Sequence, residues 1–212
     1  MKTTVIRLDV ATFDQYKIWA NEAEQLVNLE HSYSFSIDPS LPYSGIMVNG
    51  GIIIKHMYSS RHGFLATYLH EIAHIICSSA GLDFSPDSRH HSRYFACLLF
   101  LMYRRAGIID QLSVYDFGDT MYRENGKLPY MHEFQRAELD DDGWPSDSQL
   151  IDRFTFAVQR SRQLDRPGLS IERAALLLKA DLQAEWEAYS SASPSVAAAG
   201  PFRRLWGILL AR

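Results

Sequence analysis

The stretch Tyr68-Leu69-His70-Glu71-Ile72-Ala73-His74-Ile75-Ile76 reads His-Glu-x-x-His inside an apolar run. Two histidines four apart lie one above the other on a helix, with roughly 6 Å between their Cβ atoms. Both can then aim a ring nitrogen at one Zn²⁺. Glu71 sits about 100° round the helix from His70. From there it reaches a water held on the metal but is badly placed to ligate beside both histidines. Zn²⁺ lowers the pKa of such a water to about 7, and a neighbouring carboxylate takes the proton. The combination suits hydrolysis of an amide bond. The bare pentapeptide arises by chance in roughly one chain in a hundred of this length. Its weight therefore rests on what surrounds it: a helix beneath, a strand before and a third ligand after.

The helix is predicted over about Gly63 to Ser79, with Gly81 as its stop. Phe64, Leu65, Tyr68, Leu69, Ile72, Ile75 and Ile76 make it apolar nearly all round, as in a buried helix. Unsatisfied polar groups on such a helix cost several kcal/mol, and a metal satisfies the two histidines and the glutamate together. Upstream, Ile46-Met47-Val48, Asn49-Gly50-Gly51 and Ile52 to His56 read as a hairpin, since Asn-Gly between β-branched runs is a strong turn signal. His56 and His62 flank the strand-to-helix turn and read as surface or capping groups more readily than as oxyanion donors. Cys77, one turn beyond His74, reads as packing.

Towards the N-terminus, Ser32 to Asp38 alternates with Tyr33, Phe35 and Ile37 on one face, and Thr3 to Asp9 looks like a first strand. Between them Thr12-Phe13-Asp14-Gln15 resembles a capping box. Phe13, Tyr16, Ala20, Ala23 and Val27 follow at helical spacing, widened by Trp19 and Leu26, and predict a core-facing helix to about Asn28 or Glu30. Downstream of the central motif, a second helix is expected from near Ser88 to Arg105, with His90 and His91 in its first turn. Asp110 to Tyr130 reads as loop with short elements, Ser148 to Gln163 as helix, and Ser170 as the N-cap of a helix to about Tyr189.

Composition bounds the rest. The chain has 212 residues, 47% hydrophobic and 22% charged, as expected of one globular domain with a proper core. A net charge of −4 argues against bulk-charge binding to nucleic acid. Met1 to Arg7 carries no apolar h-region, so no signal peptide is expected. The longest apolar run, Phe95 to Tyr103, is too short to span a bilayer. The two cysteines, Cys77 and Cys97, form no CxxC and fit a reducing, cytoplasmic setting without a disulfide.

A zinc hydrolase uses three protein ligands and one open position. The extended metzincin pattern needs Gly and His at the positions held here by Cys77 and Ala80. A glutamate from the following helix is also absent, because Ser88 to Ile109 contains no Asp or Glu. His90 and His91 remain, with Asp83 and Asp87 as more remote alternatives. At this point the residues resemble a known family. His70-Glu71-Ile72-Ala73-His74, then a loop, then His91-Ser92-Arg93-Tyr94-Phe95 is similar to the SprT-like (Spartan-type) zincins. That resemblance implies His91 as third ligand, Phe95 as the aromatic packed on the site, bound Zn²⁺ and peptidase chemistry. It covers roughly Ile52 to Tyr103. Ser92 stands where the family has glycine, and two cysteines leave no room for the zinc ribbon of its classical members. A weaker likeness, through Phe95-Ala96-Cys97-Leu98-Leu99, is to the ImmA/IrrE-type metallopeptidases, whose third ligand is usually an acid.

The expected fold is α+β and zincin-like: a small, mostly antiparallel sheet packed on the His70 helix, with a helical C-terminal half. Residues 1–190 form the domain, with its core at about 33–106. Residues 191–201 read as a flexible linker and 202–212 as an amphipathic tail that docks on its own domain, with a protein partner or membrane surface as the alternative. The edge strand near Ile52–His56 is expected to hold an extended peptide substrate. Zn²⁺ is expected to be bound by His70, His74 and, as the resemblance implies, His91, with Glu71 activating the water. Two alternatives stand beside this: a zincin scaffold used as a binding or regulatory module, and a zinc hydrolase of a non-peptide amide.

Overall fold

The computed structural model describes residues 10–82, 92–108, 121–122, 130–131 and 147–192. The expected first strand, the segment with Asp83, Asp87, His90 and His91, and the tail lie outside them. Helix α1 (Phe13–Val27) starts at Thr12, whose hydroxyl oxygen accepts from the Gln15 amide at 3.2 Å. It ends at Asn28 in the left-handed conformation, φ 61°. Tyr16, Ala20, Ala23 and Val27 are buried as the spacing predicts. Phe13 and Leu26 instead stand 42% and 50% exposed. The contact stripe is narrower than the apolar face: Leu26 is about 100° away from Val27, beyond the line of contact. Glu24 is buried in that stripe, and its Oε1 accepts from the Tyr68 hydroxyl at 2.6 Å and the Tyr33 amide at 2.8 Å.

Strands β1 (Phe35–Ile37), β2 (Gly45–Val48) and β3 (Gly51–Ile54) form one sheet in the order β1-β3-β2. Asn49 and Gly50 both have positive φ, 51° and 77°, as a two-residue type I′ hairpin turn requires. β1 pairs parallel with β3 and β2 antiparallel, so the sheet is mixed rather than mostly antiparallel. β3 is therefore central, and among the described residues the edge positions are held by β1 and β2 rather than by Ile52–His56. Ile52 and Ile54 put one face of β3 against the core, and Ile53 between them is half-buried.

That helix, α2 (Arg61–Ala80), opens at Ser60, whose side chain accepts from the Gly63 amide, and closes at Gly81, φ 75°. It lies on β2 and β3 and is flanked by α1, α3 (Arg93–Arg105) and the last helix. α3 starts at Arg93, with Ser92 accepting from the Phe95 amide, and not near Ser88. Met121–Tyr122 (β4) and Tyr130–Met131 (β5) pair antiparallel. α4 (Asp147–Leu164) and α5 (Ile171–Ala192) follow, α5 capped by Ser170 as expected and running into the stretch read as linker. The described residues are thus α+β, with five helices. None of these helices is long and apolar enough to cross a membrane. Cys77 and Cys97 are buried and not joined by a disulfide.

Arg105, at the end of α3, fastens this frame. Its guanidinium donates to the carbonyls of Val27 (3.0 Å), Leu169 (2.7 Å), Leu164 (3.4 Å) and Arg166 (3.3 Å), and to Asp165 at 3.0 Å. It thereby serves the ends of α1 and α4, where unpaired carbonyls carry negative partial charge. A lysine has no planar fork and cannot reach this set. Arg105→Lys is expected to lower the unfolding free energy by about 2 kcal/mol, read as an earlier urea midpoint at unchanged slope.

Candidate metal centre

The rotation of α2 decides what each of its polar residues faces. Phe64 and Tyr68 stack with Tyr16 of α1, ring centroids 4.7 Å apart for Tyr16–Phe64 and 5.7 Å for Phe64–Tyr68. On another side the Tyr103 hydroxyl of α3 donates to the Ala66 carbonyl at 3.0 Å. With those contacts fixed, His70 and His74 turn towards α3, and Thr67 and Glu71 turn towards β2.

His70 Nε2 and His74 Nε2 stand 3.1 Å apart. Two nitrogens held at about 2.0–2.1 Å by one tetrahedral Zn²⁺ stand about 3.3 Å apart, so the pair fits two adjacent corners of such a site. Phe95 of α3 closes over both rings, at 5.1 Å from His70 in an edge-on contact and 4.5 Å from His74. Burial pushes the His70 imidazole down to about 4 from its ordinary 6.5. A neutral imidazole is the form that ligates a metal.

Glu71 is 6% exposed and faces the first residue of β2. A Cβ on Gly45 would fall 2.9 Å from Glu71 Oε1 and 2.6 Å from Thr67 Cγ2. Thr67, one turn before Glu71, holds its Oγ1 2.6 Å from the Tyr58 hydroxyl, which also donates to the Ser44 carbonyl at 3.4 Å. Burial, and to a lesser degree the charge of Glu71, raise the Tyr58 pKa, so that hydroxyl keeps its proton.

His91 and His90 lie outside the described residues, as do Asp83 and Asp87. Among the described residues no group of three or more His, Cys, Asp or Glu side chains is arranged to hold a metal ion; they supply the His70–His74 pair. His56 Nε2 is 3.0 Å from the Ala11 carbonyl, a structural tie. Arg93 pairs with Glu185 of α5 and lies over the Phe156 ring at 4.7 Å, and Tyr94 is fully buried. Cys77 is packing, fully buried in the core. The sequence reading missed Gly45, Thr67 and Tyr58. A glycine heading a strand was the one visible signal, and it has meaning only once β2 is known to cross α2 at Glu71.

No family model, curated protein or solved structure matches the chain.

The His70 shift has a consequence for the metal-free protein. Between pH 6.5 and about 4 the unfolded chain takes up a proton at this residue and the folded chain does not. The contribution is complete above pH 6.5 and is lost as pH falls towards 4. The urea midpoint of chelator-treated protein should drop across that window, and His70→Asn should remove this share of the drop.

Proposed function

We propose that the protein is a zinc-dependent metallopeptidase of the HExxH type, working in the reducing cytoplasm. The observation that carries this reading is the convergence of the two Nε2 atoms at 3.1 Å on a buried helix, with the Glu71 carboxylate on the adjoining face. His70, His74 and, from the sequence, His91 would hold Zn²⁺. Bound there, the ion supplies a Lewis acid and brings the pKa of a coordinated water to about 7. Glu71 accepts a proton from the attacking water and returns it to the leaving amine. Its burial between α2 and β2 keeps the carboxylate from turning out to solvent.

The sheet edge supports an extended peptide as substrate. The Lys55 amide donates to the Ser44 carbonyl at 2.9 Å, and Gly45 is opposite Ile54. Gly45–Ile54 is therefore a non-hydrogen-bonded pair, and so is Met47–Ile52 two residues on. The N–H and C=O groups of Gly45 and Met47 point away from β3, to the outer side of β2. A peptide added there by main-chain hydrogen bonds runs past Glu71. The expectation of strand addition is kept, with β2 replacing Ile52–His56 as the receiving strand.

Elemental analysis of freshly purified protein tests the metal. About one zinc per chain is expected, kept in His90→Ala and lost in His74→Ala and His91→Ala. Zinc lost in His90→Ala alone would move the third ligand by one residue. No bound metal, and no zinc-dependent rise in melting temperature, would overturn the reading. For the chemistry, Glu71→Gln should keep its zinc and lose at least about 100-fold in cleavage of a quenched-fluorescent peptide library. Undiminished cleavage in that variant would remove Glu71 from the mechanism.

A further inference from the structure

The start of β2 is built around the absence of one side chain. Gly45 has an ordinary backbone conformation, since it is not among the positive-φ glycines. Its need for glycine is therefore one of space, not of backbone freedom. Three atoms of α2 fill that space: Thr67 Cγ2 at 2.6 Å, Glu71 Oε1 at 2.9 Å and Glu71 Cγ at 3.2 Å from where a Cβ would stand. The strand cannot easily back away. Its ladder to β3 holds one side, from Gly45–Ile54 to Val48–Gly51. The Ser44 carbonyl accepts from the Lys55 amide and from the Tyr58 hydroxyl, and Tyr58 in turn meets Thr67 Oγ1. Tyr58 itself is fixed by its neighbours: the Tyr16 hydroxyl donates to its carbonyl at 3.0 Å. Backbone, threonine and tyrosine are thus tied into one wall, and the side chain that meets it across the missing Cβ is that of Glu71, through Oε1 and Cγ.

We infer that Gly45 is a positioning residue for Glu71: the bare backbone of β2, clamped to α2 through Ser44, Tyr58 and Thr67, is the surface that sets where the Glu71 carboxylate lies. The inference rests on the peptidase reading for its consequence in catalysis, though not for its geometry. A misplacement of about 1 Å in a reacting group can cost on the order of 100-fold in rate. A methyl group at position 45 should produce a displacement of that size without unfolding the protein, because a carboxylate end moves more cheaply than a strand.

The two contacts can be separated. Thr67→Ser deletes the Cγ2 atom and keeps the hydroxyl that Tyr58 needs. In the double variant Gly45→Ala with Thr67→Ser, the collision that remains is the one with Glu71. The experiment compares wild type, Thr67→Ser, the double variant and Glu71→Gln, each checked for zinc content and cooperative melting. Crystal structures of Thr67→Ser and the double variant are expected to show Glu71 Oε1 displaced by about 1 Å or more in the latter alone. With a peptide taken from the cleaved library, Thr67→Ser is the reference against which the kcat of the double variant is read. The double variant should lose about 100-fold in kcat with little change in KM. A double variant in which β2 shifts and Glu71 stays put overturns the proposal. So does a displaced Glu71 with unchanged kcat. If wild type and Glu71→Gln cleave equally poorly, the peptidase reading fails instead, and the crystal structures still decide whether Gly45 places the carboxylate.

Discussion

The structure depends on the burial of α2. Its apolar positions run almost all round, and α1, α3, α5 and the sheet cover it. A helix so enclosed has one rotational setting, because each residue of rotation, about 100°, carries its side chains from one neighbour to another. The aromatic stack of Tyr16, Phe64 and Tyr68 supplies much of the selection: the Tyr16 and Phe64 rings lie parallel within 4°, and Phe35 meets both Phe64 and Tyr68. Aromatic pairs of this kind contribute about 0.5–1.5 kcal/mol each beyond the area they bury. Several acting together make a slip of α2 costly. The directions of His70, Glu71 and His74 follow from that setting and need no separate device.

The walls around α2 are themselves fixed by partnered charges. Glu24 would be an expensive residue to bury alone, and it is paired with the Tyr68 hydroxyl and the Tyr33 amide. It joins α1 and the chain leading into β1 to the same turn of α2 that precedes the histidines. α3, which carries Phe95, is held near both ends: Arg93 pairs with Glu185 of α5, and Arg105 collects the carbonyls around the end of α4. Further ties run from α5 to the end of α1, where the Ser170 hydroxyl donates to Glu30 at 2.6 Å and the Ile171 amide to the Asn28 carbonyl at 3.1 Å. The ring laid against the histidines thus sits on a helix that cannot roll without breaking contacts at both of its ends.

Local chemistry was legible in the sequence, and long-range pairing was not. Thr12, Asn49-Gly50, Gly81 and Ser170 each specify a cap or turn within a few residues, and all four act in that way. The His-Glu-x-x-His spacing specifies a helix and shared faces, and the two Nε2 atoms do meet. By contrast, nothing near Phe35 says that it pairs parallel with Ile52, or that β3 lies between two strands. The unbroken Ile52-Ile53-Ile54 run does not state it either, since an apolar run reports how the two faces of a strand are covered and not which strands lie beside it. The exposure of Phe13 and Leu26 was hidden for a related reason. Periodicity reports which residues share a face, while the width of that face that meets a neighbour is set by the neighbour.

Gly45 shows the same division at the candidate centre. The pentapeptide fixes three polar side chains on two adjoining faces of one helix: histidines on one, glutamate on the next. Each face then demands something of whatever packs there. The histidine face needs a neighbour that confines the rings without competing for Nε2, and an aromatic ring, Phe95, does so. The glutamate face needs a neighbour that comes close without filling the space of the carboxylate. A strand can come that close only where it has no side chain, and β2 meets Glu71 at a glycine. The sequence states the demand at residues 70 to 74. The answer sits some 25 residues earlier at Gly45 and some 20 later at Phe95, and only the packing of α2 brings the demand and the answer to one place.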